Sequence, residues 1–177
     1  MNVNVMDRHG VLLVAVLLAT LMTRAAALTR FAPGGGPDAT TGIAATAAGS
    51  AQTTVAGELR TFSFVATTGA NGAATGMAQV NNRMVGEMFL LSVDCLKVVG
   101  NLAIVSGVIT RHTDTHAIGL TGIFAVQDAG EGSPSPDRIT QVFFFEPGVL
   151  TCADLGPADA EPFLVDVEAG NVQVRSG

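Results

Sequence analysis

The sequence predicts an all-β domain: a small antiparallel meander of seven to eight strands closing into a barrel or roll, with a two-sheet β-sandwich as the alternative. Three observations predict it. From Glu58 onward apolar and polar residues alternate in short runs. Turn residues punctuate those runs at intervals of about 8–12 residues or somewhat more. No segment after the N-terminal apolar run keeps a helical period over three turns.

The chain opens with that apolar run, Gly10 to Met22, preceded by Arg8 and followed by Ala25, Ala26 and Ala27. It is shorter than the roughly 20 apolar residues a membrane-crossing helix needs. A basic start, a short apolar centre and small residues at the end are the layout of a secretory signal peptide. Residues 1–27 are therefore expected to form a signal-peptide helix cleaved after Ala27, leaving no stable membrane span. An uncleaved signal anchor tethering the chain to the membrane is the alternative. The expected location is secreted or periplasmic. Residues 28–57 are rich in Gly, Ala, Thr and Pro without a sustained period. Such a stretch buries too little apolar surface to offset its ordering entropy. It reads as a flexible leader, its tail from Gln52 to Ala56 starting a first strand, and residues 58–177 read as the folded domain.

Each strand in that domain has its own signature. Phe62 and Phe64 share one face, Thr61 and Ser63 the other. Gly69 to Gly72 supplies a turn. The next, weaker strand sets Thr75, Met77 and Gln79 opposite Ala74, Gly76, Ala78 and Val80, and Asn81-Asn82-Arg83 turns the chain again. Phe89, Leu91, Val93 and Cys95 are expected on one face of the fourth run. Lys97 to Asn101 then closes a hairpin onto the β-branched run from Leu102 to Thr110. After a polar loop at 111–116, Leu120, Gly122, Phe124 and Val126 alternate with Thr121, Ile123, Ala125 and Gln127. Ile139 to Phe145 is apolar on both faces and reads as one strand covered on both sides. Residues 147–161 are irregular, and short strands at 163–167 and 171–175 end the chain.

Composition removes several function classes. The 177 residues are 48% hydrophobic, 14% charged and 5% aromatic, with no Trp or Tyr and a formal charge of −6. Removing residues 1–27 takes away two cations and one anion and leaves the rest more acidic still. An acidic chain with few Lys and Arg lacks the cations that displace phosphate counterions, so nucleic acid is excluded as a partner. No phosphate loop, dinucleotide fingerprint or G-x-S-x-G elbow occurs; Ser106 lies between Val105 and Gly107. No catalytic residue is assigned.

The run Val93-Asp94-Cys95-Leu96-Lys97-Val98-Val99-Gly100-Asn101-Leu102-Ala103-Ile104-Val105-Ser106-Gly107-Val108-Ile109 carries a pattern V-x-G-N-x-A-x-V-x-G. It is followed by Phe124-Ala125-Val126-Gln127-Asp128-Ala129-Gly130-Glu131-Gly132 and then by Asp137 and Ile139. This order resembles exported bacterial β-rich proteins of unknown function and is similar to the post-COAP-1 type modules at the ends of secreted multidomain proteins. The resemblance covers roughly residues 58–175, departing at Ala129, where a polar turn residue is expected. It implies an exported, all-β accessory domain and transfers no catalytic residue.

Four clusters carry the remaining chemistry. Cys95 and Cys152 are the only cysteines, and an exported chain with an even count fits one structural disulfide, with two buried free thiols as the alternative. His112, Asp114 and His116 alternate along the chain and would project from one face of an extended segment, where two imidazoles and a carboxylate suit a divalent metal. The bland alternative is a solvated loop. Asp128, Glu131 and Asp137 form an acidic loop, either solvated or a weak calcium site outside the cytosol. Arg138 stands ready to pair with its neighbour Asp137. Phe143, Phe144 and Phe145 read as core, or as the lining of an apolar cavity in an open barrel. No cofactor is expected beyond a weakly held divalent metal. The function expected is a non-catalytic structural or binding domain. The rivals are a barrel carrying an apolar ligand and a metal-dependent enzyme built on His112, Asp114 and His116.

Overall fold

Hairpins dominate the chain after Ile43. The computed structural model describes residues 43–177; the expected signal peptide and residues 28–42 of the leader lie outside the described residues. The strands are β1 (Ile43–Val55), β2 (Glu58–Gly69), β3 (Ala74–Asn82), β4 (Glu87–Val99), β5 (Leu102–His112), β6 (Thr121–Gln127), β7 (Arg138–Ile139), β8 (Phe143–Phe145), β9 (Val165–Asp166) and β10 (Ala169–Ser176). All ten belong to one antiparallel sheet in the order β10-β1-β2-β3-β4-β5-β6-β7-β9, with β8 also pairing β6. The sheet is a meander curled into a half-barrel. The described residues form this one sheet and not a two-sheet sandwich.

The leader expectation is corrected from residue 43 onward. Ile43–Val55 is a full strand, paired with β2 along its length and with β10 from Ala45 to Gln52. Its composition misled because it is built of small residues. The register sets Gly49 opposite Phe64 and Ala51 opposite Phe62, so small side chains on β1 make room for the rings on β2. At Gly49 even a Cβ would lie 2.3 Å from the carbonyl oxygen of Asn171 on β10. A low-hydrophobicity strand is thus the fitting partner for a bulky one.

Inward positions of β1 to β6 fill the interior. Phe62 and Phe64 pack on Phe124, with ring centroids 6.3 and 5.5 Å apart, and Phe89, Leu91, Ile109 and Val126 complete the same buried cluster. Burying each such side chain is worth about 1.5–3 kcal/mol. The alternation expected for β2 and β3 is observed: Ala78 and Val80 are buried and Thr75, Met77 and Gln79 exposed. Gly76 takes φ 151°, and a Cβ there would sit 2.0 Å from the carbonyl oxygen of Val65. Gly76→Ala should therefore destabilise the fold by about 2–3 kcal/mol, read from the urea midpoint.

A bulge in β4 changes the side of everything after it. Val93 pairs with Gly107 but Cys95 pairs with Ser106, so Asp94 is an extra residue. The expectation that Cys95 shares a face with Phe89, Leu91 and Val93 is overturned, because the extra residue reverses the alternation. Cys95 points outward, where it meets a second buried cluster of Leu102, Ile104, Ile123, Ala125, Leu150, Cys152, Ala160 and Leu164. The segment between β8 and β9 forms this outer cover. It contains 3-10 turns at Cys152–Asp154 and Glu161–Phe163 and one helical turn, α1 (Pro157–Ala160).

The strands covered on both faces are therefore β5 and β6, not the 139–145 run. That run breaks into β7 and β8 because the Thr140 hydroxyl accepts the Ala125 N–H where a backbone carbonyl would continue the ladder, at 2.9 Å. The three consecutive phenylalanines do not act as one core unit. Phe145 packs against the outer cluster, Phe143 against Phe163, and Phe144 is 37% exposed against Phe89 and His112.

Candidate functional site

The acidic loop lies where the curled sheet meets itself. Residues 165–176 change partners in passing: Val167 N–H donates to the Asp137 carbonyl, continuing the β7–β9 ladder, and Glu168 N–H donates to Gln52 on β1. Beyond this crossover the outer N–H groups of β10 have no strand beside them among the described residues. Two carboxylates take that role. Asp137 Oδ2 accepts the Val172 N–H at 2.7 Å and its Oδ1 the Ala129 N–H at 2.9 Å. Asp128 Oδ2 accepts the Val174 N–H at 3.0 Å and its Oδ1 the Gly130 N–H at 2.7 Å. All four oxygens are thus assigned to backbone donors, and Glu131 is an exposed residue outside this set. Of the residues in the calcium reading, Asp128 and Asp137 are thus brought together by β10, and Glu131 is not. Arg138 does not pair with Asp137; it reaches Glu161 at 2.8 Å and helps hold the outer cover.

His112, Asp114 and His116 do not converge. His112 ends β5 with its ring largely buried, stacked on Phe89 at 5.3 Å and met edge-on by Phe144 at 5.7 Å. Its Nδ1 accepts the Asp114 N–H at 2.9 Å, and its Nε2 faces Glu87 Oε1 at 3.3 Å. Both ring nitrogens are occupied. Asp114 turns the other way, capping the 3-10 turn Thr115–Ala117 by accepting the His116 N–H at 3.0 Å. His116 is exposed. Alternation failed here because the extended strand ends at His112, so residues 112, 114 and 116 do not share a face. Among the described residues no group of three His, Cys, Asp or Glu side chains is placed to hold a metal ion.

The two cysteines do come together. Cys95 and Cys152 form a disulfide with Cα atoms 5.8 Å apart, joining the bulged part of β4 to the outer cover. Ser106 is wholly buried beside it and accepts the Cys152 N–H at 3.1 Å. The Lys97 ammonium adds hydrogen bonds to the carbonyls of Ala153 and Leu155.

A polar constellation that the strand patterns did not single out sits at the end of the interior nearest the β1–β2 turn. Thr53 on β1, Arg60 on β2, Asn82 on β3 and Glu87 on β4 are register partners in turn. The Arg60 Nη2 donates to Glu58 Oε2 at 3.1 Å, and the Asn82 amide donates to the same oxygen at 2.6 Å. First the Arg60 guanidinium and then the Asn82 amide hold the Glu58 carboxyl below the usual carboxylate range. The legible clue was Arg60 itself, two residues before Phe62 and so on the inward face of an otherwise apolar strand. Glu58 ties Arg60 to Asn82, Thr53 donates instead to the Asp166 carbonyl and Glu87 faces His112, while the buried Arg60 Nε has no partner among the described residues. They gather no nucleophile with a base and no open metal position.

The interior directly below is filled. Phe62, Phe64 and Phe89 belong to its buried cluster. Phe143 does not; Phe124 stands in its place. Comparison with known proteins adds no relative: no family model, curated protein or solved structure matches the chain.

Proposed function

We propose that this chain is an exported, non-catalytic β-domain with a structural or binding role, its half-barrel latched into a closed barrel by Asp128 and Asp137. The observation that carries the reading is the fate of the chemically capable side chains. The four oxygens of Asp128 and Asp137, both nitrogens of His112 and both sulfurs are assigned to internal bonds. They hold segments in place instead of facing a substrate. The Cys95–Cys152 disulfide supports maturation outside the reducing cytosol. The apolar leader supports a signal peptide cleaved after Ala27. The resemblance to post-COAP-1 type modules belongs to the same reading, as an accessory domain of exported proteins.

Mass spectrometry of the protein recovered from an exporting bacterial host, native and then reduced, tests the whole reading. The expected product begins at Leu28, gains the mass of two hydrogens on reduction, and carries no stoichiometric metal or apolar ligand under native spray. A full-length chain in the cytosol with both thiols free would refute export. A stoichiometric bound metal or lipid would replace this reading with the metal-dependent enzyme or the apolar-ligand barrel.

A further inference from the structure

We infer that Asn71, at the tip of the β2–β3 hairpin, is a site of spontaneous covalent modification, where the chain converts its own asparagine to aspartate and isoaspartate. The tip is a tight turn closed by backbone bonds: the Gly72 N–H donates to the Gly69 carbonyl at 2.9 Å and the Gly69 N–H to the Ala73 carbonyl at 2.9 Å. Asn71, Gly72 and Ala73 are all exposed. The Asn71 Oδ1 accepts the Ala73 N–H at 3.0 Å, which folds the side-chain amide back over the Gly72 peptide unit. That bond draws charge from the amide carbon and is placed to hold an oxyanion formed there. Gly72 has no side chain to shield its nitrogen; its φ is 79°, and nothing lies within 4 Å of where a Cβ would stand.

The Gly72 nitrogen gives up its proton to hydroxide and attacks Asn71 Cγ. The N–Cγ bond forms, the Cγ–Nδ2 bond breaks and ammonia leaves, closing a five-membered succinimide. Water then opens either carbonyl, giving aspartate or an isoaspartate whose main chain runs through the side-chain carbon. The balance is asparagine and water to acid and ammonia. The Gly72–Gly69 hydrogen bond sets the pace, because the nitrogen is free to attack only when the tip opens, and exposed turns open at small cost. The other asparagines among the described residues lack this arrangement. Asn81 and Asn171 lie within β3 and β10, the Asn82 amide donates to Glu58 at 2.6 Å, and the Asn101 amide donates to the Asp128 carbonyl at 2.7 Å. Each is followed by a residue whose side chain crowds the attacking nitrogen: Asn82 after Asn81, Arg83 after Asn82, Leu102 after Asn101 and Val172 after Asn171. The site takes no part in the latch or the disulfide, and the inference stands independently of where the chain is delivered.

Incubating the folded protein at about pH 6 and about pH 9, then mapping its peptides by mass spectrometry, tests it. Conversion at Asn71 should be faster at the higher pH, because the attacking nitrogen must lose its proton. It should also be at least about tenfold faster than at any other described asparagine, since only here are carbon and nitrogen both placed and unshielded. Each converted molecule gains a negative charge and should separate on anion exchange, and the isoaspartyl product should be labelled by an isoaspartate-specific methyltransferase. Isoaspartate lengthens the main chain within the turn, so the Gly69 and Gly72 amides of that form should exchange faster with solvent. Asn71→Gln keeps an exposed amide but would have to close a six-membered ring, and should abolish the converted species. No conversion at Asn71 in the folded protein would overturn the inference. So would conversion no faster than at Asn101, or conversion that appears only once urea has unfolded the chain.

Discussion

The double variant Cys95→Ser/Cys152→Ser loses about 4 kcal/mol of unfolding free energy. The bridge spans a sequence separation of 57 residues, and in the chain-entropy model releasing a loop of that length frees the unfolded chain by about that amount. The loss should not be shared evenly. The disulfide ties the 146–164 cover to β4, while Phe62, Phe64, Phe89 and Phe124 pack on the other side of the sheet. Hydrogen exchange should show Cys152 to Leu164 and the outward positions of β5 losing protection first, with β1 to β3 retaining theirs. Urea unfolding of the unaltered protein with and without reductant gives the same shift, about 2 M for a slope of about 2 kcal/mol/M. An unmoved midpoint on reduction would mean that the cover is held by Lys97, Arg138 and apolar contact alone.

Asp137→Ala is the second large effect, also about 4 kcal/mol. It removes two charge-assisted hydrogen bonds, each worth about 1.5–3 kcal/mol. It also leaves the N–H of Val172, itself 1% exposed, without an acceptor. Asp137→Asn keeps one oxygen but turns an N–H₂ toward an N–H, and should cost about half as much. Thermal unfolding of the three proteins in calcium and in chelator separates the latch from a metal site. A latch gives the same ordering in both, with no shift of the unaltered protein's midpoint. A midpoint that rises with calcium, and ceases to rise in Asp137→Ala, would restore the cation reading of this loop.

These two sites differ in how far the amino-acid pattern exposed them. Pairing of Cys95 with Cys152 followed from the count and the leader alone, but its placement did not. Strict alternation put Cys95 inside with Val93, and only the Asp94 bulge sends it outward. A bulge is a mismatch between two strands, so neither strand's own pattern announces it. Asp128 and Asp137 were visible as acidic residues in a turn-rich loop. Their role was hidden because their partners, Val172 and Val174, lie some 35 to 46 positions away. The His112–His116 cluster shows the converse error. Spacing by two implies a shared face only while the strand lasts, and β5 stops at His112.

By itself the sequence determined the class of object: period-two alternation fixed which residues of β2 and β3 are buried, Gly- and Asn-rich turns fixed the hairpins, and the cysteine count pointed to a single bridge. Those are local properties, set by side-chain direction and backbone freedom over a few residues. Tertiary structure alone decided that the small-residue stretch from Ile43 is a strand, that β5 and β6 are covered twice, and that two aspartates hold the end of the chain against the loop. Each of these depends on what a distant segment presents: a ring needing space, an outer face needing cover, or an N–H needing an acceptor.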